Sequence, residues 1–88
     1  MKRIKFFQTS MEIGEDNKEL FEIGWDGKEI VLLSGDARAA NYFVFGGDDI
    51  HGKDGNERFT IKDGLKFFEA LPYQYQGSMV WATKVFEK

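Results

Sequence analysis

The chain has 88 residues, the size of one small domain with a single core. Its 15 acidic and 12 basic residues give a net charge of −3 with both signs interspersed, which excludes a basic nucleic-acid footprint and is too mild to mark a nucleic-acid mimic. Cysteine is absent, so zinc ribbons, iron–sulfur sites and thiol nucleophiles are excluded, and the core must come from residues such as the nine phenylalanines and two tryptophans.

In the opening stretch MKRIKFFQTSMEI, Gln8, Thr9, Ser10 and Glu12 interrupt any apolar signal region. No apolar run approaches the roughly 20 residues of a membrane span. The expectation is a soluble, cytoplasmic protein with no membrane contact.

Residues 2–13 read as a strand in which Ile4 and Phe6 alternate with Arg3 and Lys5, and the Phe6-Phe7 pair marks a bulge. A turn-rich connection over 14–18 leads to ELFEIGWDGKEIVLLSG. There Asp26-Gly27 predicts a two-residue type I′ hairpin that sets Trp25 against Lys28, Ile23 against Ile30 and Phe21 against Leu32. One face then carries Phe21, Ile23, Trp25, Ile30 and Leu32, and the other carries Val31 and Leu33. The N-terminal third is thus a three-stranded meander.

In SGDARAANYFVFGG, Asp36 is expected to cap a short helical turn through Asn41, and the β-prone Tyr42 to Phe45 then form a strand. A continuous helix over 36–45 is the alternative. Residues 46–57, with four glycines and four acidic side chains, read as a mobile loop.

A helix follows over about 61–71. Thr60 is its expected N-cap, Ile61, Leu65 and Phe68 form its buried stripe with Gly64, Phe67 and Leu71, and Pro72 ends it. The segment 78–88 reads as a last strand, with Val80, Ala82 and Phe86 alternating against Met79, Trp81 and Val85. The predicted fold is α+β in a single domain over 1–88: a mostly antiparallel sheet of four to five strands with one main helix packed on one face.

Chemistry-bearing patterns are sparse. If Asp54-Gly55 filled positions five and six of an EF-hand loop, positions one and three would fall on Ile50 and Gly52, so that pattern fails. His51 is the single histidine and reads as an exposed imidazole in the acidic loop. Ser10, Ser34 and Ser78 lie in no nucleophile elbow, and no phosphate-cradling glycine motif occurs. These patterns predict no enzyme, no metal site and no cofactor.

The remaining candidate is LKFFEALPYQYQG, residues 65–77. Read as extended chain after Pro72, its period of two sets the rings of Tyr73 and Tyr75 on one side and Gln74 and Gln76 on the other. Tyr73, Tyr75, Gln74 and Trp81 are therefore the candidate binding residues.

The expected function is a small non-catalytic interaction or regulatory module that binds a protein partner or self-associates, with the open sheet face of Val31, Leu33 and Trp81 as a homodimer surface. The alternative is single-stranded nucleic-acid binding, with Tyr73, Tyr75 and Phe7 stacking on bases and Lys2, Arg3 and Lys5 meeting phosphates. Net acidity disfavours it.

Overall fold

A computed structural model describes residues 1–8, 18–45, 50–52, 56–75, 80–83 and 86–87. The chain order is β1 (Lys2–Gln8), β2 (Lys18–Trp25), β3 (Ile30–Gly35), α1 (Ala37–Phe43), β4 (Ile50–His51), β5 (Arg58–Phe59), α2 (Gly64–Gln74), β6 (Val80–Ala82) and β7 (Phe86–Glu87). The strands form one antiparallel sheet in the order β4-β5-β3-β2-β1-β6, with β7 also paired to β1. The α+β class and the N-terminal meander are as the sequence predicts.

Alternation decides which face is inside. Ile4 opposes Ile23, Phe6 opposes Phe21, and Ile30 lies between Trp25 and Phe59, so these side chains share one face. Ile4, Phe6, Phe21, Ile23, Ile30 and Phe59 have no exposed surface, and Phe68 and Leu71 of α2 join them in the core with Ala40, Phe45, Val80 and Ala82. Each large side chain among them contributes about 1.5–3 kcal/mol on burial. Ring geometry adds specificity: Phe6 stacks on Phe21 at 4.6 Å and Phe45 on Phe59 at 3.9 Å.

The β1 bulge falls at Phe6/Phe7, where the spacing of the two phenylalanines placed it. The hairpin register differs from the type I′ expectation by two residues, because Trp25 pairs with Ile30 and Ile23 with Leu32. A type I′ turn needs φ > 0 at both Asp26 and Gly27, and only Gly27 takes it, at φ 101°. Asp26 instead uses its carboxylate as an acceptor for the N–H groups of Lys28 and Glu29, both at 2.8 Å, which lengthens the loop. A slip of two residues preserves the pleat, so the same side chains still face the core.

The segment after β3 follows the continuous-helix alternative more closely than the expected turn and strand. Asp36 caps α1 by accepting from the N–H of Arg38 at 2.9 Å, but the helix runs on through Tyr42 and Phe43. Phe45 then turns inward onto Phe59.

The 46–57 segment is not wholly loop, since Ile50 and His51 pair with Phe59 and Arg58. The rest of that loop, like residues 9–13 of the expected first strand, lies largely outside the described residues.

Helix α2 is shifted along the chain relative to the expected 61–71. Asp63, not Thr60, stands at its N-cap, in the left-handed region that aspartate tolerates. Pro72 does not end it. A proline in the last turn removes one backbone bond, and continuing the helix buries Pro72 and sets Tyr75 against the core.

The buried side of α2 is Gly64, Phe67, Phe68, Leu71, Pro72 and Tyr75, at helical spacing. Leu65, expected inside, is 38% exposed.

The last strand is broken. Ala82 opposes Phe6 but Phe86 opposes Arg3, so the register moves by one residue between them. Thr83 sits at the break, with its N–H donating to the Lys5 carbonyl at 2.9 Å and its hydroxyl accepting from the Lys5 N–H at 3.1 Å.

Candidate functional site

The helical path of 72–75 separates the two tyrosines that an extended chain would have aligned. Two helix positions are about 200° apart, so Tyr73 and Tyr75 point to opposite sides of α2. Tyr73 is 82% exposed, and Gln74 is exposed beside it.

Tyr75 packs edge-on against Phe6 with ring centroids 5.4 Å apart, and its hydroxyl donates to the Phe43 carbonyl at the end of α1. Burial pushes its phenol pKa up. Trp81 lies on β6 opposite Phe7 in register; its side chain is outside the described residues.

A second exposed ring stands at the end of α1, the helix end that the Tyr75 hydroxyl reaches. Tyr42, at the end of α1, is 82% exposed and stands edge-on to Phe43 at 5.0 Å, and Phe43 is itself 39% exposed. The strand expected over Tyr42 to Phe45 gives neither of these two residues a place among the candidate surface groups. The signal was present: with Ala40 inward, helical spacing sends Tyr42 outward.

The outer sheet face carries Val31, half-buried, and Leu33, 39% exposed. Met1 and Leu33 close over Gly24, where a Cβ would lie 2.7 Å from Met1 Sδ and 2.9 Å from Leu33 Cδ1.

A polar cluster joins the β2–β3 turn to β4 and β5. Arg58 Nη1 meets Asp26 Oδ2 at 2.5 Å and Glu29 Oε1 at 3.1 Å, while His51 Nε2 lies 3.2 Å from Glu29 Oε2 and 2.8 Å from Thr60 Oγ1. Backbone N–H groups, led by that of Glu29, and Arg58 hold the Asp26 carboxyl down to about 2. His51 is thus on a strand and partnered.

The cluster resembles a Thr–His–Glu relay only in composition. A relay needs the nucleophile and the orienting carboxylate on different imidazole nitrogens, and here both meet Nε2. Among the described residues, no group of three or more His, Cys, Asp or Glu side chains is placed to hold a metal ion. No described helix is long and apolar enough to cross a membrane.

No protein-family model, curated protein or solved structure matches the chain.

Proposed function

We propose that the protein is a small non-catalytic interaction module, cytoplasmic, that docks on a partner protein through the rings at the ends of its two helices. The observation that carries this is the exposure of Tyr42 and Tyr73, each 82% accessible on helices whose ends the Tyr75 hydroxyl ties together. Large rigid rings with polar tips bring contact area at small conformational cost, which is why tyrosine recurs at binding surfaces. Anchoring on helices rather than loops keeps them preorganised.

Single-stranded nucleic-acid binding is the weaker reading. It needs Tyr73 and Tyr75 to offer stacking faces together, and Tyr75 is engaged with Phe6 and Phe43.

The test is affinity capture with the wild type and a Tyr42→Ala/Tyr73→Ala variant of unchanged circular dichroism. The expected result is a specific partner that the variant loses. A partner kept by the variant, or none with either protein, sinks the proposal; recovery of the chain itself points to a homodimer, which sedimentation then measures.

A further inference from the structure

A cavity of about 180 Å³ opens between the β2–β3 turn and the start of α2, away from the aromatic helix ends. Its accessible apolar wall is Trp25 and Ile61, over the fully buried Phe59. Gly64 borders it, and even a Cβ there would lie 3.0 Å from Trp25 Cζ3, so a bare backbone sets the clearance between helix and indole.

The polar groups of the lining are not equally available. Both carboxylate oxygens of Glu29 are taken, one by Arg58 and one by His51, and the Thr60 hydroxyl is engaged with His51. The Lys28 ammonium makes no ion pair among the described residues, so the charge left to offer is positive.

Size and charge together define an occupant. A cavity of about 150 Å³ accommodates a benzene ring. An indole face beside it favours an offset or edge-on ring. Lys28, a lining residue on a flexible stem, suits a carboxylate by a charge-assisted hydrogen bond from its ammonium.

We propose that this cavity binds a small monocarboxylate with an aromatic body, the ring against Trp25 and the carboxylate toward Lys28. The site lies apart from the proposed docking surface and stands or falls independently of it.

The experiment titrates benzoate into a Trp81→Phe variant, in which Trp25 is the sole indole, and follows its fluorescence. The wild type is titrated in parallel by two-dimensional amide NMR, which remains informative if that variant does not fold. The expected result is a saturable change at Trp25, with amide shifts at Lys28 and Gly64. Lys28→Gln should weaken benzoate roughly tenfold, the factor given by loss of one charge-assisted contact. Benzylamine, of similar shape and opposite charge, should bind more weakly still. No saturable change at Trp25 or Gly64 overturns the site. Equal affinity of the Lys28→Gln variant, or of benzylamine, overturns the assignment to carboxylates.

Discussion

The Tyr75 hydroxyl donates to the carbonyl of Phe43, so the last turn of one helix satisfies an orphan carbonyl at the end of the other. Tyr75→Phe keeps the ring on Phe6 and removes only that bond, and it should cost about 1 kcal/mol in urea denaturation. Tyr73→Phe, on the exposed side of the same helix, should stay within about 0.5 kcal/mol. Burial raises the folded phenol above its ordinary 10.0. The fold therefore binds that proton more tightly than the unfolded chain does, and this contribution is full below pH 10 and lost as pH rises through the folded pKa. Ultraviolet phenolate absorbance should show a late-ionising tyrosine that the Tyr75→Phe variant lacks.

Acid should act on the β2–β3 turn. Asp26 is depressed from 3.8 to about 2, so it binds its proton less readily when folded, and its stabilising contacts are full above pH 3.8 and lost as pH falls toward 2. Asp26→Asn removes the charge that Arg58 and the turn N–H groups favour. Its urea midpoint should lie below that of the wild type at pH 5, and the gap should narrow steeply as pH falls toward 2. A gap of constant size across that range would mean that the carboxylate charge contributes nothing.

The meander, the bulge at Phe6/Phe7 and the inward set Phe21, Ile23 and Ile30 were legible because a period of two survives a register error of two. The exposure of Tyr42 and Tyr73 was not legible, for a different reason. In both segments residue type argued against helix, through β-prone rings at 42–45 and through Pro72, while burial of Ala40 in one and of Leu71, Pro72 and Tyr75 in the other favoured it. Tertiary packing outweighed propensity: at 42–45 the difference is about 1 kcal/mol or less per residue, and at Pro72 it is about 3 kcal/mol, the scale of burying one or two large apolar side chains. The Glu29–Arg58–His51 cluster joins the β2–β3 turn to β4 and β5, and no local spacing announces such a meeting.

Helix α2 offers a sharp contrast between two large apolar side chains about one turn apart, Leu65 and Phe68. Phe68→Ala removes a fully buried ring and should cost about 3–5 kcal/mol, a large share of the 5–15 kcal/mol that holds a typical domain. Leu65→Ala, at a position 38% exposed, should change stability by about 0.5 kcal/mol or less. Thermal denaturation of the two variants reads this directly, and comparable losses would rotate the helix stripe.

Two glycines share a positive φ but not their surroundings. At Gly27, φ 101°, a Cβ meets nothing, so Gly27→Ala should cost only the conformational strain of about 1–2 kcal/mol. At Gly35, φ 91°, it would collide with the Leu20 carbonyl and with Phe21, so Gly35→Ala should cost clearly more. Equal midpoints in urea would show that the end of β3 yields to admit the methyl group.

The register of the β2–β3 hairpin can be read by cross-linking, and the absence of native cysteine makes that test clean. Glu22 opposes Ser34 across the ladder, whereas a type I′ turn at Asp26-Gly27 would set it against Val31. Directly opposed residues have Cα atoms about 4.5–5.5 Å apart, within reach of a disulfide, and diagonal neighbours lie near or beyond its limit of about 7 Å. Air oxidation should therefore close the Glu22→Cys/Ser34→Cys variant readily and the Glu22→Cys/Val31→Cys variant slowly, as mass spectrometry of the intact chain will show. The reverse order would restore the two-residue turn. It would also dissolve the polar cluster, because Glu29 reaches Arg58 and His51 from a loop that the tighter turn does not have.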